Sequence, residues 1–244
     1  MSAADARFGT GLYCADGAIP CLAAFEGASA AMHSFGRALA ASARHLVPVL
    51  LVGETGTGKT SFARSLHAMS PRAGGPFVRI DCPSAAADLA AGAREAQAGT
   101  LFLDEVAALS WSIQATALPI LDDARPSRPR LVACTSHDLE QEMVAGRFRK
   151  KFFYLLDVVE LRVPPLRERK DEILPIAREV VAFLARREGR EPPALSPALE
   201  RALERHSWPG NVAELLSVME RVFVLSGGSA LDASALPDRL CVNR

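Results

Sequence analysis

Eight consecutive residues, Gly53-Glu54-Thr55-Gly56-Thr57-Gly58-Lys59-Thr60, satisfy the pattern G-x-x-x-x-G-K-[ST] at every fixed position. An apolar run over 47–52 precedes them, and a helix-like stretch over 61–69 follows. A strand that ends in a glycine-rich turn and feeds a helix is the context in which this Walker A pattern has a mechanism. It points to a nucleoside triphosphate, and leaves open whether that nucleotide is hydrolysed.

The loop chemistry is specific. Three glycines let the backbone turn tightly enough for its N–H groups to converge on phosphate oxygens. The helix that follows adds the positive end of its dipole at the same place. Residues 53–60 therefore form the candidate phosphate-binding loop. Lys59 is placed to reach the β- and γ-phosphates. The Thr60 hydroxyl is a hard oxygen ligand suited to Mg²⁺.

The strands and helices around this loop alternate. Strands are expected at 47–52, 76–81, 100–103, 130–134 and 158–163, with helices at 32–45, 61–69 and 111–122. Short, apolar, β-rich strands separated by helices indicate a parallel sheet covered on both faces. After Pro164-Pro165 the pattern is helical only, at 171–187, 196–206 and 211–225. Ser196-Pro197 reads as an N-cap with proline at the first helical position. The expected division is an N-terminal extension over 1–30, an α/β nucleotide-binding subdomain over 31–167 and a helical subdomain over 168–244.

Composition adds exclusions. With 28 basic and 28 acidic residues the formal charge is zero, so no global field favours nucleic acid or a membrane surface. No apolar run is long enough to span a bilayer, and residues 1–7 carry Asp5 and no signal-peptide core. Cys14, Cys21, Cys82, Cys134 and Cys241 are scattered without a C-x-x-C pair. Cys82 and Cys134 read as small core residues, and a reducing cytoplasm is the simplest setting.

Downstream, Leu101-Phe102-Leu103-Asp104-Glu105 is an apolar strand ending in two acids, the Walker B arrangement. A carboxylate at the C-terminal edge of such a strand lies beside the phosphate loop. Asp104 is the expected holder of the Mg²⁺ shell and Glu105 the group that polarises the attacking water.

With these residues in hand, the chain resembles the AAA+ ATPase domain of bacterial enhancer-binding proteins, the activators of sigma-54 RNA polymerase. The loop Gly53 to Lys59 is similar to their G-E-[ST]-G-T-G-K. The likeness continues through Ser70-Pro71-Arg72, Pro76-Phe77-Val78, Gly99 to Glu105 and Gly146-Arg147-Phe148-Arg149. It ends with Pro164 to Arg169 and Trp208-Pro209-Gly210-Asn211-Val212, and covers about residues 32–240. The resemblance implies an α/β AAA+ P-loop NTPase core followed by a small all-helical lid. It further implies ATP and Mg²⁺ as ligands, a ring with ATP at subunit interfaces, and Arg149 as a finger reaching a neighbour's γ-phosphate.

The departures from that pattern shape the functional expectation. The family separates its second strand from Walker B by an insertion carrying the GAFTGA loop that touches sigma-54. Here only 16 residues, 83–98, stand between Cys82 and Gly99. The family's second finger arginine is Leu155, and the acidic pair after the first is Lys150-Lys151. Its lid arginine is Ala213 and its sensor asparagine Ser136. The asparagine that engages the catalytic glutamate is Asp81, an acid expected to repel Glu105 or to become protonated. Thr60 replaces an acid and favours Mg²⁺. The residues outside the resemblance show no sensory domain and no helix-turn-helix. The expectation is a regulatory AAA+ module that binds ATP with weak or no hydrolysis. It would act through protein partners, an intact activator or copies of itself in a ring, and not through DNA or a membrane. The alternative is an active ATPase ring that remodels a target other than sigma-54.

Overall fold

A computed structural model of the chain describes residues 29–84, 89–122, 127–227, 230–237 and 240. The expected N-terminal extension lies almost wholly outside the described residues, as do Cys14, Cys21 and Cys241. The chain divides into two units. One holds Ser34–Glu54 and Lys59–Val163; the other holds Pro164–Arg244, the loop tip Thr55–Gly58 and the residues up to His33.

The first unit is built on five parallel strands, β1 (Val49–Val52), β2 (Phe77–Asp81), β3 (Thr100–Asp104), β4 (Arg130–Thr135) and β5 (Val159–Arg162). They are ordered β2-β3-β4-β1-β5. Every residue of β3 and β4 is buried, as expected of central strands covered on both faces. Their side chains Leu101, Leu103 and Ala133 pack with Leu50, Phe148 and Phe152 into one core. The register places Val52 of β1 beside Thr135 of β4, and Asp81 of β2 beside Asp104 of β3. The carboxyl ends of these strands therefore share one edge of the sheet, where ligands of open α/β sheets bind.

The helices of this unit are α1 (Ala30–Ala43, whose first turn belongs to the other unit), α2 (Lys59–Ala68), α3 (Leu89–Glu95), α4 (Trp111–Leu121), α5 (Leu139–Val144) and α6 (Lys150–Leu156). Strand β1 begins at Val49 and not at Val47, because Pro48 has no N–H to give the ladder. Arg130, buried at the start of β4, donates to the carbonyls of Ser42, Ala43 and Leu66. One guanidinium thus satisfies orphan carbonyls at the C-terminal ends of both α1 and α2.

The second unit is helical: α7 (Ile173–Arg187), α8 (Pro197–Arg205) and α9 (Asn211–Leu225). The expected start of α7 at Asp171 is a separate 3-10 turn, Lys170–Glu172. Ser196 caps α8 by accepting from the Leu199 N–H, with Pro197 following it, as the sequence indicated. Trp208, Leu199, Leu203, Leu215, Met219 and Val222 form the core, and the Trp208 indole N–H donates to the Leu203 carbonyl.

Candidate nucleotide-binding site

The glycine-rich loop needs glycine at two of its three glycine positions. Gly56 and Gly58 have φ of 80° and 96°, the left-handed region that side chains avoid. A Cβ on Gly56 would lie 2.3 Å from the Gly210 carbonyl oxygen. Within the second unit, three successive loop carbonyls each accept a hydrogen bond. Thr55 receives Asn211 Nδ2 at 3.0 Å, Gly56 the Ala213 N–H at 3.2 Å, and Thr57 Arg169 Nη2 at 2.6 Å. A trans peptide sets each N–H opposite the preceding carbonyl. The N–H groups of Gly56, Thr57 and Gly58 are therefore turned away from these donors, as an anion-binding nest requires.

Asn211 and Arg169 lie in the sequence motifs at 208–212 and 164–169, and the fold gives each a role. Asn211 is fully buried and has φ of 52°, a conformation asparagine tolerates better than most residues. Its Oδ1 accepts from the Leu166 N–H while its Nδ2 holds Thr55. Arg169 is buried against Glu172, 3.2 Å away. The Ala213 position contributes its backbone only.

In the first unit, Lys59 opens α2 at the helix N-terminus. Its ammonium is nearly enclosed and donates to the Gly53 and Glu54 carbonyls at 2.8 and 3.2 Å. It also lies 3.0 Å from Glu105 Oε1. Glu105 follows β3 with φ of 54°, a left-handed backbone that is uncommon for a non-glycine residue and turns the side chain out of the strand direction. Its other oxygen accepts the Ser136 N–H and Oγ–H at 2.8 and 2.9 Å. Burial pushes the Glu105 carboxyl up, but the bond and charge of Lys59 together with the two Ser136 donors outweigh it. Glu105 is held below the ordinary carboxyl range and is ionised at neutral pH.

Asp81 and Glu105 have different hydrogen-bond partners. The Asp81 carboxylate turns to Ser84 Oγ at 2.6 Å, and Ser136 supplies the hydrogen bonds that an asparagine at position 81 was expected to give.

Asp104, at the end of β3, is buried and fully engaged. Its Oδ2 accepts from Thr60 Oγ1 at 3.2 Å and pairs with Arg79 Nη2 at 2.6 Å; its Oδ1 accepts from Cys134 Sγ at 2.9 Å. Thr60 and Asp104 thus form a pair of hard oxygen donors beside the loop, a set that fits Mg²⁺. The Cys134 thiol is pushed far up by burial and by the Asp104 charge, and the Cys82 thiol is pushed up to about 12 for the same reasons. Both stay protonated, in keeping with core cysteines.

Arg149 is not brought to this cluster. Its guanidinium lies 4.1 Å over the Trp111 ring, and its Nε donates to the Trp111 carbonyl at 2.9 Å. Its backbone N–H donates to Gln114 Oε1 at 2.7 Å, and the buried Gln114 amide bonds the Leu109 and Arg147 carbonyls. Leu155 packs partly buried against the core of the first unit. Of the sequence-derived site residues, the structure pairs Lys59 with Glu105 and Thr60 with Asp104, while Arg149 is held by Trp111 and Gln114. Residue type and spacing alone do not mark Ser136 as a partner of Glu105 or Arg79 as a partner of Asp104.

Known proteins resemble the chain in sequence and fold. Residues 27–166 match the sigma-54 interaction domain family and residues 167–244 the AAA+ ATPase lid domain. The chain is similar to the sigma-54-dependent transcriptional activator SfnR of Pseudomonas putida, 36% identical over 218 residues, 77% of this chain and 60% of that protein. It is 33% identical to the DNA-binding transcriptional regulator NtrC of Escherichia coli K12, over 88% of this chain and 52% of that one. The chain spans about half the length of the curated relatives it matches. Among solved structures, NtrX of Brucella abortus in complex with ATP superposes with a TM-score of 0.77 at 28% identity, covering 87% of this chain and 56% of that one. The RuvB branch-migration motor of Thermotoga maritima shares the fold at a TM-score of 0.60 and 16% identity, over 84% of this chain and 65% of that one. With more than half of its length inside the first family and the remainder in the matching lid, the chain belongs to the sigma-54 interaction family of AAA+ P-loop proteins.

Proposed function

We propose that the chain is an ATP-binding AAA+ regulatory module that acts on transcription through protein partners, with weak or no hydrolysis and without remodelling sigma-54. The observation that carries the binding half is the Lys59–Glu105–Asp104–Thr60 group beside the glycine loop. Lys59 pairs with Glu105, and the Thr60 hydroxyl with Asp104. The phosphates would take the loop N–H groups and Lys59, and Mg²⁺ would take Thr60 and the Asp104 shell. Structures of Brucella abortus NtrX with ATP and with ADP support the ligand class. The short segment between β2 and β3, Leu155, and the engagement of Arg149 by Trp111 support the restrained half. Residues 85–88 of that segment lie outside the described residues. Sites, ligands and a cytoplasmic setting are parts of this reading; no helix among the described residues is long and apolar enough to cross a membrane.

The test is calorimetric titration of ATP with Mg²⁺, followed by a turnover assay. Binding that Lys59→Ala weakens about ten- to hundredfold, with little phosphate release, is the expected result. Robust release by the chain alone, lost on Glu105→Gln, would overturn the restrained half.

One observation favours a second reading. Glu105 is ionised and hydrogen-bonded on both oxygens, the state a water-polarising carboxylate needs. An active ring using Arg149 as its single finger follows if Arg149 leaves Trp111 on assembly.

A further inference from the structure

Arg79 lies on β2, the edge strand of the sheet, and its guanidinium reaches across to Asp104 on β3. The contact is made to Oδ2, the same oxygen that accepts the Thr60 hydroxyl. That oxygen and Thr60 Oγ1 are the two hard donors that fit a divalent cation. Mg²⁺ or Mn²⁺ at such donors sits about 2.1 Å from each oxygen. A guanidinium nitrogen 2.6 Å from Oδ2 is already paired with the oxygen such a cation would use. The second acid is treated alike, because Lys59 pairs with Glu105. Both Walker B carboxylates are thus neutralised by cations of the chain itself. Lys59 has a second employer in the phosphates. Arg79 has none, but at 39% exposure on an edge strand it can swing to solvent without disturbing the core.

We infer that Arg79 is an internal competitor for the divalent cation, a built-in counter-ion of Asp104 that a metal must displace before it can take its place beside Thr60. The inference rests on the reading of this site as nucleotide-binding. It assigns Arg79 a positioning role toward the metal: the residue raises the cation concentration at which the site fills, and leaves nucleotide capture by the loop and Lys59 largely independent of metal.

Mn²⁺ binding followed by electron paramagnetic resonance, with ADP saturating, tests it. Arg79→Gln and Arg79→Met both remove the charge; the methionine keeps the apolar stem should the glutamine variant fold poorly. Removing one positive charge a few ångströms from a partly exposed site should tighten Mn²⁺ by about three- to tenfold. Arg79→Lys, which keeps the charge, should stay near the wild-type value. ADP affinity in EDTA should be the same in all four proteins and about ten- to hundredfold weaker in Lys59→Ala. Mn²⁺ affinity that is unchanged or weaker in the Gln and Met variants, with ADP binding intact, overturns the role of Arg79 alone. Failure of the wild-type chain to bind ADP with or without Mn²⁺ overturns the nucleotide-site reading together with it.

Discussion

The Lys59 ammonium lies 3.0 Å from Oε1 of Glu105, so the loop cation and the Walker B glutamate neutralise each other within the first unit. On the proposed reading, a phosphate held by Lys59 would leave Glu105 to the two Ser136 donors. Lys59→Ala should lower ATP affinity about ten- to hundredfold, the range for a charge-assisted bond lost from an enclosed site. Calorimetric titration measures it, and an affinity within threefold of wild type would place the phosphates elsewhere.

The same pair makes stability depend on pH. The folded Glu105 carboxyl titrates below its ordinary value of 4.5, so the folded state releases this proton more readily than the unfolded chain. The stabilisation is complete above the unfolded value and is lost as pH falls through the depressed folded one. Urea unfolding between pH 7 and pH 3 should show an acid loss of stability that is shallower in Glu105→Gln. Ser136→Ala, which removes one of the donors, should steepen nothing and shift the loss to higher pH. Identical acid limbs in all three proteins would mean that Glu105 is not the group responsible.

Gly56 is the tightest point of the loop. Gly56→Ala must place a methyl group 2.3 Å from the Gly210 oxygen at a φ of 80°. The left-handed conformation alone costs about 1–2 kcal/mol for an L-residue, and relief of the clash requires the Gly210 peptide to move. The substitution should lower the stability of the second unit by at least about 2 kcal/mol and weaken ATP binding, because the nest is distorted. Gly227→Ala is the control. It also has positive φ, 57°, but nothing lies within 4 Å of its Cβ, so only the smaller conformational cost should appear in thermal unfolding.

Much of this was legible in the sequence. Residue type and spacing indicate the glycine loop and the Walker B strand, and the helix expected over 211–225 coincides with α9. The short helices α3, α5 and α6 are not indicated, because six or seven residues make fewer than two turns and show no period. Asp138, whose carboxylate accepts from the Glu140 and Gln141 N–H groups, was the available N-cap signal for α5. The roles of Ser136, Arg79, Asn211 and Arg169 arise from strands and turns that meet only in the fold, at sequence separations of 25 to more than 100 residues. An alignment of motifs could name Asp81 as a misfit for Glu105, but not show that its carboxylate turns to Ser84.

Arg169 joins the Thr57 carbonyl to the buried carboxyl of Glu172, which burial pushes above its ordinary range despite the guanidinium beside it. The two partners should respond unequally. Arg169→Ala leaves a buried acid and a loop carbonyl without this donor, a loss of about 3–5 kcal/mol by analogy with broken buried pairs. Glu172→Gln removes a charge that burial already disfavours and should cost less than about 1.5 kcal/mol. Denaturant unfolding of the single variants and the double variant gives their coupling. Equal effects would mean that the Glu172 charge supports the fold as much as Arg169 does.

Arg149 provides the sharpest discrimination between a switch and a motor. Held on Trp111, it makes no contact with Lys59, Thr60, Asp104 or Glu105 of its own chain among the described residues. Any contribution to turnover must therefore come from rearrangement or from reaching another copy. If it acts across an interface, Arg149→Ala and Glu105→Gln proteins are each inactive alone. When mixed, an Arg149→Ala subunit still supplies Glu105, and its Glu105→Gln neighbour still supplies Arg149. About a quarter of the interfaces in a random mixture should then be complete, since each of the two subunits is drawn with equal chance. A mixture that recovers turnover establishes the shared site and a working ring. A mixture as inactive as its parts, beside a wild-type chain that binds ATP without phosphate release, establishes the switch.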